Sequence, residues 1–375
     1  LKSKIWLSAP HIQPGGLNYV KDAFDTNWVA PLGPNVDGLE NLLKDYLKVK
    51  DVAVLSSGTA ALHLGLVLLG VTQGDEVLCQ TATFAASAFP IKYVGATPIF
   101  IDSEEDTWNM NPQLLRKAIN ERLSLGKRIK AIVSVHLYGM PAKIDEILEI
   151  AAEFNIPVLE DAADALGSNF GGKACGTFGE MGVLSFNGNK IITTSGGGAL
   201  ISDNEDHIVK ARFLATQARD NAPHYQHSHI GYNYRMSNVC AGIGRGQMLV
   251  LQDRIASRRA NFEFYVQQLG HLPGISFLQE PHGSFSNRWL TTILVDPQKS
   301  SGISRETIRL ALETDNIESR PLWKPMHLQP IFAHAPFYGD GTAAHLFEQG
   351  LCLPSGSNLT KEELNRVVKH ILALF

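Results

Sequence analysis

Between residues 52 and 160, short apolar runs alternate with longer stretches in which apolar residues recur every three or four positions. The runs at 52–55, 76–80, 98–101 and 131–135 have the length and bounding turns of buried strands. The stretches at 60–69, 84–93, 112–125 and 144–154 have the spacing of helices that bury one face. Further strands are predicted at 156–160 and 182–186, and a further helix at 204–216. This is the order of an α/β fold, with a mostly parallel sheet covered by helices on both faces. Such sheets hold ligands beyond the carboxyl ends of their strands.

Ahead of this core, residues 1–15 read as an extended arm, because Pro10 and Pro14 oppose a helix. Helices are predicted at 18–26 and 36–47. Beyond the core, 238–269 reads as one or two long helices. Strands at 275–278 and 289–295 and helices at 304–313 and 361–374 follow. The expected organisation is a large domain over 1–250, carrying the arm, and a smaller α+β domain over 251–375.

One stretch concentrates the chemistry. The apolar run 156–159 ends in Glu160 and Asp161, so a strand delivers acids at its carboxyl end. The next strand leads to Lys190 in a polar turn, followed by Thr193, Thr194, Ser195 and three glycines. An acid at a strand end and a lone lysine past the following strand suit an imine-forming site. The amine would condense with an aldehyde cofactor and the acid would keep a ring nitrogen protonated. A surface lysine beside a salt-bridged aspartate would give the same letters. Ser57, Gly58 and Thr59 open a helix directly after a strand, where free N–H groups and added hydroxyls can receive an anion; an ordinary helix cap has the same composition. Phe84 follows the next strand, where a ring could stack on a flat cofactor or simply fill the core. Ser185 precedes Lys190 and adds a hydroxyl.

Composition narrows the partners. The 375 residues carry 33 basic and 37 acidic side chains, a formal charge of −4, so no broad basic face for nucleic acid is expected. An anionic ligand must be met by a local cluster. The four cysteines are far apart with no CxxC pair, which suits reduced thiols. No apolar run is long enough to span a bilayer and no signal-peptide core opens the sequence, so a cytoplasmic enzyme is expected. His224, His227 and His229 lack an accompanying carboxylate and read as a polar active-site loop rather than a metal site. Gly196 to Gly198 do not form a dinucleotide turn. The loop Asn27-Trp28-Val29-Ala30 is apolar and carries a tryptophan, so it is expected to line a pocket or tuck against a neighbour.

Taken in order, Ser57-Gly58-Thr59, Asp161, Ser185, Lys190 and the segment GYNYR at 231–235 resemble the sugar aminotransferases of the DegT/DnrJ/EryC1 family. The resemblance covers essentially the whole chain. It is carried by SGTAALHL, EDAADALGS, SFNGNKIITTSGGGAL, GYNYRMSN and RPLWKPMHLQPIF, which are specific in combination. Through the NxxAPLG loop at 27–33, the NGNKIITTSGGG run and SNRWL at 286–290, it is nearest to the enzymes that aminate UDP-4-keto-6-deoxy-GlcNAc on the way to bacillosamine.

The resemblance implies a pyridoxal-phosphate enzyme of the aspartate-aminotransferase fold (type I), working as a homodimer. By position, Lys190 is similar to the imine-forming lysine and Asp161 to the partner of the pyridine nitrogen. Gly58, Thr59 and Ser185 match phosphate ligands, and Phe84 matches the stacking ring. Asn233 is similar to an asparagine that crosses the dimer interface to the phosphate. Asp164 departs from the family, which commonly has Gln, His or Glu there; a shorter side chain implies a less direct contact with the cofactor. A branch of the family that dehydrates sugars has histidine in place of Lys190. The implied reaction carries nitrogen from L-glutamate to a nucleotide ketosugar. Asn27 to Ala30 would offer an amide beside an apolar wall to the sugar, and Arg320, Lys324 and His327 a cationic cluster to its diphosphate. Other readings are a GDP-perosamine or UDP-3-ketosugar aminotransferase, or a non-catalytic regulator of the same fold.

Overall fold

A computed structural model describes residues 3–13 and 15–375. Pro14, one of the two prolines expected to keep the arm extended, lies outside the described residues. The predicted alternation appears as one sheet in the order Asp51–Leu55, Gly198–Ser202, Met181–Ser185, Val158–Asp161, Ile129–Val135, Glu76–Gln80, Thr97–Ile101, Phe337–Tyr338. Gly198–Ser202 runs antiparallel to both its neighbours, and the other pairings are parallel. Apolar side chains from the two faces form separate cores. Leu62, Leu66, Phe100 and Leu159 pack on one face, and Ile99, Ile132, Ile147 and Val158 on the other. Among the described residues, no helix is long and apolar enough to cross a membrane.

The long helical stretch is two helices, Asn238–Met248 and Leu251–Leu269. The second spans two cores: Leu251 and Ile255 pack with the large sheet, whereas Tyr265 and Leu269 pack with Ile293, Leu351 and Ile5. A second sheet runs Ile275–Phe277, Thr291–Val295, Gly350–Leu353, Arg320–Pro321. Its chain also returns to the first sheet, where Phe337–Tyr338 adds the edge strand.

One local expectation changes, and two strands of the large sheet are added to the prediction. The helix at 84–93 is interrupted: a 3-10 turn, Ala85–Ser87, precedes a short helix, Phe89–Tyr93. Pro90 is tolerated only in the first turn of a helix, so the helix must restart just before it. Gly198–Ser202 escapes the pattern because it opens on the last of three consecutive glycines, which read as loop. It must be glycine at 198, since a Cβ there would lie 2.4 Å from the Gly58 nitrogen. The edge strand at 337–338 is too short for any periodicity to reveal.

The strand Val158–Asp161 is anchored by Glu160, which is fully buried. Its carboxylate accepts hydrogen bonds from the amides of Gly176 at 2.8 Å and of Phe178 and Gly179 at 2.6 Å. It also meets His136 Nε2 at 2.8 Å. Burial opposes charge on His136, but the adjoining Cys175 sulfur and Glu160 carboxylate raise its pKa to about 10. The stability from this raised value is fully present below the ordinary histidine pKa of about 6.5 and is lost as pH rises through about 10. Glu160→Ala should cost about 3–5 kcal/mol by orphaning three amides and the histidine. Glu160→Gln should flatten the decline of stability between neutral pH and pH about 10. Denaturant midpoints measured across that range check both.

Candidate active site

The carboxyl ends of the parallel strands border a cavity of about 860 Å³. Ser57 caps the helix Gly58–Leu68, its Oγ accepting from the Ala60 amide at 3.0 Å. The first intrahelical acceptor serves Ala61, so the amides of Gly58 and Thr59 have no partner inside the helix. Both residues line the cavity, as do Ser57 and Ser185. Gly58 allows close packing here, for a Cβ would stand 3.1 Å from that of Ser185. This end of the cavity suits a phosphate.

Asp161 enters from the neighbouring strand end and is nearly buried. Ser87 donates to its Oδ2 at 2.6 Å, and the Ala163 amide to its Oδ1 at 3.1 Å. Thr83 Oγ1 lies 2.6 Å from the Ser87 hydroxyl. Lys190 sits across the cavity, its Nζ ion-paired to Asp164. Burial pushes the Asp164 carboxyl above its ordinary pKa, and Lys190 opposes that rise. Phe84 is exposed at the cavity, its ring 5.5 Å from that of Trp323. A helix end with free amides, the Asp161 carboxylate and the Lys190 amine thus border one space of about 860 Å³, roomy enough for a flat aromatic ring. These groups fit pyridoxal phosphate, a phosphorylated pyridine aldehyde.

The structure brings together Ser57, Gly58, Thr59, Phe84, Asp161, Asp164, Ser185 and Lys190. Asp164 contacts the lysine directly, whereas sequence gave it only a weak link to the cofactor. Arg320 and Lys324 line the mouth, where Arg320 also pairs with Glu318 at 2.9 Å. His327 does not join them. Its Nδ1 meets Thr81 Oγ1 at 2.7 Å and its ring stacks on Phe337 at 3.7 Å, because the edge strand draws this segment against the large sheet. Burial lowers its pKa.

The loop at 27–30 does not line the cavity of its own chain. The carbonyls of Trp28 and Ala30 accept from Asn238 at 3.0 and 2.8 Å, which turns the Trp28 and Val29 side chains to solvent. Asn233 is exposed, bridging Thr216 away from the cavity. The histidine loop is also outside it, with His227 Nδ1 2.8 Å from the Gln217 carbonyl.

Sequence reasoning missed Ser87, Glu318 and Trp289, together with the arm residues Leu7 and Ser8. Leu7, Ser8, Trp289 and Glu318 reach the cavity from distant parts of the chain. No spacing rule connects them; for Ser87, a hydroxyl one turn after the Thr83 hydroxyl was the available signal.

The large mixed sheet with this cavity at its strand ends is the fold of the pyridoxal-phosphate aminotransferases. Residues 10–372 match the family model described as the DegT/DnrJ/EryC1/StrS aminotransferase family, and the chain belongs to that family. It is 50% identical over 379 residues to Bacillus subtilis EpsN, assigned as a pyridoxal phosphate-dependent aminotransferase, covering 100% of this chain and 97% of that protein. It is 35% identical to the GDP-perosamine synthase of Caulobacter vibrioides, covering 97% of this chain and 96% of that one. Among solved structures it resembles the aminotransferase TlmJ from Streptoalloteichus hindustanus, with a TM-score of 0.90, 28% identity and 98% of each chain covered. The protein is a pyridoxal phosphate-dependent aminotransferase.

Proposed function

We propose that this aminotransferase moves the amino group of L-glutamate to C4 of a UDP-linked 4-keto-6-deoxy-N-acetylhexosamine, in the cytoplasm. A nucleotide ketosugar as acceptor agrees with the family and with the perosamine synthases among its relatives. The observation that carries the reading is the placement of Arg320 and Lys324 at the mouth of the cavity that holds Lys190 and Asp161. The Ser57–Thr59 helix end and the cationic pair Arg320 and Lys324 border the same cavity, which supports a phosphate of the cofactor at the first and a sugar diphosphate at the second. The UDP-acetamidosugar assignment draws further support from the 27–33 and 286–290 segments, which resemble the bacillosamine-pathway enzymes. The perosamine synthases favour the alternative of a GDP sugar.

When bound, pyridoxal phosphate supplies the carbonyl and the electron-accepting ring that amino transfer requires. Gly58, Thr59, Ser57 and Ser185 would hold its phosphate, and Phe84 its ring face. Asp161, oriented by Ser87 and the Ala163 amide, would keep the ring nitrogen protonated, since a nearby opposite charge favours the charged form. Lys190 Nζ would carry the proton between the substrate carbon and the cofactor carbon.

The reading includes a homodimer with shared sites. Trp28, Val29, Phe89, Tyr93, Ile230 and Ile331 leave apolar surface exposed on a single chain, of the kind a partner subunit covers. A two-fold partner would cover it and bring the 27–30 loop and Asn233 to the other chain's cavity. Lys190→Ala should lower amino transfer by at least about a hundred- to ten-thousandfold while the fold survives. Mixing it with an impaired Asn233→Ala chain should restore activity through heterodimers with one sound site. Normal turnover by the first variant contradicts the assigned role of Lys190; no recovery after verified subunit exchange contradicts site sharing.

The acceptor is tested with UDP-, GDP- and dTDP-linked 4-ketosugars and a UDP-3-ketosugar, with NMR of the products. Arg320→Ala should raise the KM for the nucleotide sugar about tenfold and leave the glutamate half-reaction near normal. Preference for a GDP or dTDP sugar, or an amine at C3, removes the UDP assignment and leaves the aminotransferase in place.

A further inference from the structure

Trp289 is almost fully buried, yet it borders the cavity and touches the lysine turn twice. Its Nε1–H donates to the carbonyl of Asn189, the residue before Lys190, at 2.7 Å. Its ring faces the Lys190 ammonium, with Nζ 4.3 Å from a ring centroid. The Ser8 hydroxyl donates to the same Asn189 carbonyl at 2.6 Å. On its other side Lys190 meets Asp164, whose Oδ2 accepts from the Tyr138 amide at 3.3 Å.

Asn287 ties these two neighbours of the lysine together. Its Nδ2 donates to the Asp164 carbonyl at 2.8 Å and to the Leu166 carbonyl at 2.9 Å. Its Oδ1 accepts from the Trp289 amide at 2.9 Å. The approach is close enough that a Cβ at residue 139 would fall 2.0 Å from that oxygen, and Gly139, at φ +87°, has none.

We infer that Trp289 is a positioning residue for Lys190: its ring face and the Asp164 carboxylate form a two-sided seat for the free amine. A lysine stem has many rotamers, and proton transfer falls steeply when the donor is misplaced. An aromatic face opposite a carboxylate restricts the ammonium from both sides without competing for its covalent chemistry. The seat serves whenever Lys190 is not joined to the cofactor, which in amino transfer includes the steps in which it carries the proton. Trp289 would otherwise be simple packing, which affects stability but not the proton-transfer step in particular.

The inference rests on Lys190 being the working amine, which Lys190→Ala tests separately. The holoenzyme is converted with glutamate to its pyridoxamine form, in which Lys190 is free, and isotope-labelled lysine side chains are followed by NMR. A lysine over an indole face gives an upfield-shifted methylene signal. That signal should vanish in Lys190→Ala, which is loaded directly with pyridoxamine phosphate because it does not convert with glutamate, and in Trp289→Met, and persist in Trp289→Phe. In kinetics, Trp289→Met should lower kcat about tenfold with both KM values unchanged, and Trp289→Phe should recover most of the loss. Absence of the shifted signal overturns the seat, as does a folded Met variant with wild-type kcat, or a loss confined to KM. If the Met variant does not fold, the wild-type signal, assigned by its loss in Lys190→Ala, decides alone.

Discussion

Two adjacent carboxylates on one strand divide the labour of this molecule. Side chains alternate along a strand, so Glu160 and Asp161 point to opposite faces of the sheet. Glu160 faces inward to three amides and His136, and so fixes the segment 176–179 that leads to the next strand. Asp161 faces the cavity, backed by Ser87. The buried pair holds the strand end still, and the neighbouring acid is presented at a fixed place. A charge as deeply buried as Glu160 is tolerable only because its oxygens are hydrogen-bonded.

The cavity is completed by parts of the chain that do not belong to the large sheet. The arm brings Leu7 and Ser8, the segment 318–324 brings the mouth, and Trp289 brings the wall behind the lysine. Arg258, fully buried, links them by donating to Ser8, to the carbonyl of Trp289 and to the carbonyl of Ser355. Burial, and then the neighbouring charge of Arg254, lower its pKa to about 9. Phe84, Trp323 and Trp289 line the cavity, and Tyr138, behind them, packs against both tryptophans.

What the sequence by itself determined was local and repetitive. Apolar periodicity revealed the six longer strands from Asp51–Leu55 through Met181–Ser185 and the helices between them except the broken one at 84–93, because a buried strand or helix face must repeat its pattern within a few residues; the two-residue strands Asn169–Phe170 and Lys173–Ala174 repeat nothing and escaped it. The rule that ligands meet strand ends then placed the 57–59 turn, Asp161 and Lys190 in one region, and the resemblance supplied their chemistry. Tertiary structure decided the rest, since it depended on residues far apart in the chain. Asp164 meets Lys190 because a turn bends it there, and Trp289 reaches the lysine from about a hundred positions away. His327 left the expected cationic cluster because the edge strand at 337–338 holds its ring. The loop at 27–30 faced solvent because Asn238 takes its carbonyls. Periodicity reports which face of an element is buried; only the packing of elements against one another selects which side chains meet across them.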